Sequence, residues 1–229
     1  MYNKPQKLVA EFVGTFALIF FGAGSICADQ FLRTAGQGGL GLLGIALAHG
    51  LAIGIMVTSL GHISGGHFNP AVTIGFWVTR KLSTIDTLAF WAAQLAGASV
   101  AAYLLRLLPV DVWTAVRLGT PDLASGVSPT NGMIFEGIMT FFLVFVVFAT
   151  AVDPRGAFNK IAGFAIGLTI TTAALFGGPF TGAALNPARA FGPALAANHW
   201  TNHGVYWIGP LAGGVAAGWL YDMFFLKKE

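Results

Sequence analysis

The tripeptide Asn-Pro-Ala occurs twice in this chain, at Asn69-Pro70-Ala71 and at Asn186-Pro187-Ala188. Asparagine is a preferred helix N-cap and proline is favoured at the first helical position, so each copy predicts the start of a helix. Both copies lie in apolar surroundings, and the apolar segments that begin with them are too short to cross a bilayer. A helix that begins at membrane depth is costly unless its free N–H groups meet protein or water. The two copies therefore predict a polar path inside a membrane protein.

The composition of the chain is that of a membrane protein. Hydrophobic residues make up 55% of the sequence, charged residues make up 9%, and the mean hydropathy is +0.73. A soluble domain carries roughly 25% charged residues. Six apolar runs have the length of a membrane span, at residues 8–28, 40–60, 84–108, 132–152, 160–178 and 204–226. We therefore expect an all-α membrane protein with six transmembrane helices and two re-entrant half-helices, surrounded by a lipid bilayer.

The two halves of the sequence resemble each other. Glu11 opens the first span in the segment EFVGTF, and Glu136 lies near the start of the fourth span in the segment EGIMTF. Because each half contains three spans, the second half enters the membrane from the opposite side, which defines an inverted repeat. The first repeat is predicted at 1–108, with its half-helix at 69–79. A connecting loop at 109–130 leads to the second repeat at 131–229, with its half-helix at 186–196.

The basic residues are distributed unevenly between the two sides of this topology. Eight fall on one side: Lys4, Lys7, Arg80, Lys81, Arg155, Lys160, Lys227 and Lys228. Three fall on the other side: Arg33, Arg106 and Arg117. The positive-inside rule then predicts a multi-pass protein of the cell (inner) membrane with both termini in the cytoplasm. This charge distribution does not favour a nucleic-acid surface.

The two predicted half-helices have a direct electrostatic consequence. If they insert from opposite faces, their N-termini meet near the bilayer centre, and each carries about +0.5 of an elementary charge. The amides of Asn69 and Asn186 can donate hydrogen bonds into the lumen and orient a water molecule there. That orientation interrupts a proton-conducting chain of waters, and the positive potential repels cations. The alternative is that both asparagines only cap their helices.

Three ionisable residues stand out because they lie in apolar segments. Arg189 directly follows the second tripeptide, and an arginine inside the membrane usually marks a pathway; alternatively, it snorkels to the interface or pairs with a carboxylate. Glu11 and Glu136 would either relay protons, as in transporters, or accept hydrogen bonds from the backbone of the re-entrant loops. Their matching positions in the two repeats favour the second role.

The sequence therefore supports a passive channel, with a secondary transporter that uses Glu11 and Glu136 as the alternative. An enzyme is a third class of function. Near the pore motifs there is no nucleophile–base pairing, no metal cluster and no phosphate-binding glycine loop. We therefore expect no catalytic residues, no metal ligands and no cofactor.

The chain resembles the aquaporins, of the major intrinsic protein family, over essentially its whole length. The resemblance rests on both Asn-Pro-Ala boxes, the segment 64–73 around the first of them, Arg189, and the two repeat starts that contain glutamate. It implies a right-handed six-helix bundle with one pore per chain, assembled as a homotetramer. The glycerol-conducting members typically have Asp where this chain has Ala190, and Tyr206-Trp207 matches an aromatic pair of the water type. Both features favour water as the permeant.

The resemblance also implies a selectivity filter. The four filter positions of the family fall at His49, Ala174, Ala183 and Arg189, a combination that resembles the plant vacuolar type. Strict water channels usually have an aromatic residue at the first position and histidine at the second. Two methyl groups in place of a ring widen the constriction, so ammonia, urea or hydrogen peroxide could pass as well as water. Alternatively, His49 is a hydrogen-bonded histidine between helices.

Overall fold

The computed structural model describes residues 2–156 and 161–226, and all regular structure within these ranges is helical. The α-helices of this described part are, in chain order, α1 Lys4–Thr34, α2 Gly41–Ser64, α3 Pro70–Val78, α4 Thr84–Leu105, α5 Val110–Ala115, α6 Pro129–Val152, α7 Ala162–Thr181, α8 Pro187–Ala197 and α9 Val205–Phe224. Two of the long helices contain a π-helical segment, Leu18–Ala23 in α1 and Phe148–Val152 in α6.

The long helices correspond to the predicted spans. In the described ranges, five helices are long and apolar enough to cross a membrane, namely α1, α2, α4, α6 and α7. The sixth predicted span corresponds to α9, which is 20 residues long. Helix α1 begins earlier than predicted because Asn3 forms a capping box with Gln6. Lys160, the first residue of the predicted fifth span, and Lys227 and Lys228 of the predicted charge pattern lie outside the described residues.

Each Asn-Pro-Ala box starts a short helix, as the sequence indicates. Asn69 and Asn186 have extended backbones and serve as the N-caps of α3 and α8. The side-chain oxygen of Asn69 accepts a hydrogen bond from the N–H of Ala71 at 2.8 Å, and that of Asn186 accepts one from Ala188 at 2.9 Å. Each observed half-helix begins one residue later than predicted, because the asparagines are caps rather than helical residues. The last residues, Val78 and Ala197, each differ from the prediction by one position.

The short helices are packed crosswise between the halves. Helix α3 of the first half contacts α9 of the second, and α8 of the second half contacts α4 of the first. Glycine permits the approach of α8 to α4, since a Cβ atom on Gly192 would lie 2.5 Å from the carbonyl oxygen of Ala98. Each half therefore supplies part of the wall against which the other half's short helix rests.

Helices α2 and α7, which belong to opposite halves, approach each other closely through paired glycines. A Cβ atom on Gly167 would lie 2.5 Å from the carbonyl oxygen of Gly50, and one on Gly163 would lie 2.5 Å from that of Gly54. Small residues at such positions let helix backbones approach in the membrane, where packing rather than water exclusion drives association.

We therefore expect Gly167→Val to separate α2 from α7. The valine side chain would clash with backbone atoms of α2, which cannot move aside by changing a rotamer. The melting temperature in detergent, followed by circular dichroism, should fall by several degrees, equivalent to about 1–3 kcal/mol of overpacking. Gly204→Ala is the control, since a Cβ atom there has nothing within 4 Å and the backbone is right-handed. Equal melting temperatures for Gly167→Val and the unmodified protein would contradict this packing.

Candidate functional site

The N-termini of α3 and α8 are joined by a reciprocal pair of hydrogen bonds. The side-chain nitrogen of Asn69 donates to the carbonyl oxygen of Leu185 at 2.9 Å, and that of Asn186 donates to the carbonyl oxygen of Phe68 at 2.9 Å. An asparagine amide has two N–H donors, so each side chain keeps one hydrogen beyond this link. Both asparagines are 4% exposed and line a central cavity.

The loop before α3 is held by the carboxylate of Glu11, which is fully buried. Its oxygens accept hydrogen bonds from the N–H groups of His67 at 3.0 Å and Phe68 at 2.7 Å. The hydroxyl of Ser64 at 2.6 Å and the side-chain nitrogen of Gln94 at 2.7 Å complete its set of donors. The carboxylate thus satisfies backbone groups that the bilayer interior leaves without water.

Glu136 has the same role for the loop before α8, and it is also fully buried. It accepts hydrogen bonds from the N–H groups of Ala184 at 2.9 Å and Leu185 at 2.7 Å, and from the hydroxyl of Thr181 at 2.6 Å. The hydroxyl of Tyr206 donates to the carbonyl oxygen of Thr181 at 2.8 Å, so this member of the aromatic pair braces the same loop. The arrangement favours the structural role for both glutamates.

The structure brings the four predicted filter residues to one cavity of about 190 Å³. His49 of α2, Ala174 of α7, Ala183 of the second loop and Arg189 of α8 all line it, together with Asn69 and Asn186. Much of the remaining wall is aliphatic, from residues that include Ile53, Val57, Val72, Leu143, Val147, Ile166 and Ile170. The cavity therefore combines a few polar groups with an apolar wall.

Arg189 is 2% exposed and is held at two points. Its guanidinium donates to the carbonyl oxygen of Gly119 at 2.8 Å, and a second nitrogen lies 3.2 Å from Nε2 of His49. Its Nε atom has no hydrogen-bond partner within residues 2–156 and 161–226. Neither proposed alternative for this side chain, snorkelling to the interface or a direct ion pair, is observed among its described contacts.

The contacts of His49 determine its tautomer. Arginine has no acceptor, so Nε2 of His49 accepts the hydrogen bond from Arg189. The hydrogen of the neutral ring then lies on Nδ1, which is 2.9 Å from the carbonyl oxygen of Ile45. His49 is thus both a hydrogen-bonded histidine and a cavity residue, so the two alternatives raised by the sequence are compatible.

The carbonyl of Gly119 reaches Arg189 because the connecting loop turns sharply there. Arg117, Leu118 and Gly119 all have positive φ angles, of 51°, 54° and 69°. Successive residues in this conformation are uncommon, and side chains other than glycine adopt it at a cost. No sequence pattern points to Gly119, because a contact through a backbone carbonyl does not constrain the residue type.

Asp122 anchors this loop to the segment after α8. Its carboxylate accepts hydrogen bonds from His199 at 2.8 Å, Asn202 at 3.0 Å and the N–H of Leu123 at 2.8 Å. Burial raises the pKa of Asp122, but the hydrogen bonds from Asn202 and His199 outweigh it and leave the pKa below its ordinary value. No sequence pattern predicts this cluster, since its members are distant in the chain.

Comparison with known proteins identifies the family. Residues 2–221 match the family described as "Major intrinsic protein". This chain belongs to that family. Among similar proteins, Aquaporin TIP4-4 of Zea mays is 44% identical over 228 residues, covering 97% of this chain and 88% of that protein. Aquaporin TIP2-1 of Arabidopsis thaliana is 42% identical over 226 residues, covering 98% of this chain and 89% of that protein.

A solved structure shows the same fold. The X-ray structure of the aquaglyceroporin from Plasmodium falciparum superimposes with a TM-score of 0.85 at 26% identity, covering 97% of each chain. The predicted fold class is therefore confirmed. As a member of the major intrinsic protein family, the chain is a multi-pass membrane channel for water and small solutes, and it is not an enzyme. The prediction of the cell (inner) membrane has no support from these relatives.

If the glutamates are structural, Glu136→Gln should destabilise the protein, because the new NH₂ group cannot accept hydrogen bonds from the loop. We expect a loss of about 1–3 kcal/mol, the usual cost of an unsatisfied buried donor. Thermal unfolding in detergent measures it, with the exposed Asp111→Asn as control. A variant of unchanged stability that abolished solute uptake driven by a pH gradient would instead support the transporter.

Proposed function

We propose that this channel passes water together with ammonia, urea and hydrogen peroxide, and that it excludes protons and ions. The observation that carries the proposal is the asymmetry of the cavity at the level of Arg189. His49 and Arg189 supply polar groups, whereas Ala174 and Ala183 contribute only methyl groups. A ring at either alanine would occupy the space through which a small neutral solute passes.

Hydrogen-bond donors in the cavity support permeation by neutral polar molecules. Arg189 lines the cavity and uses only two of its five N–H donors in its described contacts, so the guanidinium has donors left for a carbonyl oxygen, a water or a peroxide. The second amide hydrogens of Asn69 and Asn186 are likewise available after the link between the loops. The aliphatic side chains of the wall offer a passing solute no hydrogen bonds, which keeps it from binding tightly.

The exclusion of protons and cations follows from the ends of α3 and α8. Both helices begin at the asparagines that line the cavity, so their positive ends lie beside the pathway. A water molecule that accepts hydrogen bonds from both amides directs its own hydrogens away from the centre. The chain of waters is then interrupted at this point, and Arg189 adds a second positive barrier.

The transporter alternative is disfavoured by the positions of the two glutamates. Of the described residues that line the cavity, none is a glutamate. The carboxylate oxygens of Glu11 and Glu136 instead accept hydrogen bonds from loop N–H groups and hydroxyls. A carboxylate that carried protons would need contact with the pathway and freedom to lose its partners.

The orientation and assembly of the channel remain part of the proposal. Lys4 pairs with Asp86 at 2.9 Å and Lys81 with Asp222 at 2.7 Å, so these cations share one end of the bundle. We assign this end and both termini to the cytoplasm, and we retain the two inverted repeats, 1–108 and 131–229. The predicted connecting loop 109–130 joins them and contains the short helix α5 and the first two residues of α6. The homotetramer is carried over from the family resemblance, with one pore in each chain.

The filter is tested by Ala174→His in proteoliposomes, using stopped-flow light scattering with sucrose and urea as osmolytes. The unmodified channel should shrink fast in sucrose with a weak temperature dependence, and reswell in urea. The added ring should lower urea permeability at least about tenfold, equivalent to about 1.4 kcal/mol of barrier, while water still passes.

Ala174→Ser is the matched control, because it adds polarity with little volume, and its urea permeability should stay near that of the unmodified channel. Vesicles of the unmodified channel that shrink in urea and stay shrunk would remove urea from the solute range. No acceleration over empty liposomes with either osmolyte would overturn the proposed permeation.

A further inference from the structure

One side of α1 forms part of the cavity wall, and one position on that side has no side chain. Leu18 and Ile26 line the cavity, and Gly22 lies between them, four residues from each. Gly22 is buried and belongs to the π-helical segment Leu18–Ala23. Such segments inside α-helices are rare and occur frequently at functional sites. At the level of Gly22, therefore, the wall needs a side chain from another helix.

The imidazole ring of His49 fills this gap. A Cβ atom built on Gly22 would lie 2.7 Å from Cδ2 of His49, 3.0 Å from Nε2 and 3.1 Å from Cγ. These distances are shorter than ordinary contacts between carbon atoms, so no side chain fits at position 22 while the ring keeps its place. The contact also includes the ring atom that accepts the hydrogen bond from Arg189.

The ring has little freedom to move elsewhere. Its Nδ1 is hydrogen-bonded to the carbonyl oxygen of Ile45 at 2.9 Å, and Nε2 is 3.2 Å from the guanidinium of Arg189. The open space beside it is the cavity that both side chains line. A methyl group on Gly22 would therefore displace the imidazole into the cavity, or break its hydrogen bond with Arg189.

We propose that Gly22 is a positioning residue for the filter: the absence of a side chain at this position sets the depth of His49 and thereby the opening beside Arg189. Gly22 does not contact the solute and acts through His49. The inference rests on the proposed filter role of His49, and it adds a determinant of solute size from α1, which contributes none of the four filter residues.

The test is Gly22→Ala in proteoliposomes, with permeabilities to water, urea, ammonia and hydrogen peroxide normalised to the amount of reconstituted channel. We expect the ratio of urea to water permeability to fall at least about threefold, because a narrower opening penalises the larger molecule more. Gly24→Ala in the same helix is the matched control, since its Cβ atom would meet only the end of a Leu105 side chain, at 3.3 Å. Its ratio should equal that of the unmodified channel.

A double variant separates positioning from general packing. In Gly22→Ala/His49→Ala the new methyl group occupies space vacated by the ring, so its permeabilities should equal those of His49→Ala alone. If Gly22→Ala by itself fails to fold, the double variant is still compared with His49→Ala. An equal urea-to-water ratio in Gly22→Ala and the unmodified channel would overturn the proposal. So would an equal loss in Gly24→Ala, or a further loss in the double variant.

If the proposed solute range is wrong, the measurements differ from those that would overturn the role of Gly22. In that case the unmodified channel conducts water and excludes urea, ammonia and peroxide. The positioning role of Gly22 is then tested by the water permeability alone. A lower water permeability in Gly22→Ala than in Gly24→Ala then supports the role, and equal values overturn it.

Discussion

The pairing of two buried carboxylates with loop backbone allows two helices to begin in the middle of a membrane. Phe68 and Leu185, directly before the capping asparagines, have φ angles of 48° and 53°, which bulky side chains rarely adopt. The N–H groups of both residues donate to a glutamate at 2.7 Å. Without these acceptors, the loops would combine backbone strain with unsatisfied donors in an apolar medium. The wall of the pore therefore depends on Glu11 and Glu136, although neither reaches the solute.

The same symmetry explains why the two loops are locked to each other. The strained residue before each asparagine presents its carbonyl oxygen to the asparagine of the opposite loop, which donates at 2.9 Å. One amide hydrogen fixes the junction and the other remains for the lumen. Capping, junction and pore lining are thus performed by the same two side chains, because an amide has both an acceptor and two donors. The alternatives of capping and conduction raised by the sequence are not exclusive.

The sequence predicted the features that repeat or that lie next to each other in the chain. The two boxes, the long apolar runs and the glutamates carry residue-type signals that follow from burial and capping, and they were sufficient to predict the fold. His49, Ala174 and Ala183 were assigned through the family resemblance, and all three line the cavity. The sequence did not predict the roles of Gly119 and Asp122. The first acts through a carbonyl oxygen, and the partners of the second, His199 and Asn202, belong to another loop. Contacts of this kind depend on tertiary packing and leave no local pattern.

The filter is consequently less symmetric than the frame that holds it. Arg189 is oriented by a carbonyl of the connecting loop on one side and by His49 on the other, and the place of His49 depends on a glycine of α1. These three supports come from different parts of the chain, and neither glutamate supplies them. Solute size can therefore change through substitutions at any of them while the half-helices and their junction stay intact. This separation lets one frame accommodate openings of different width.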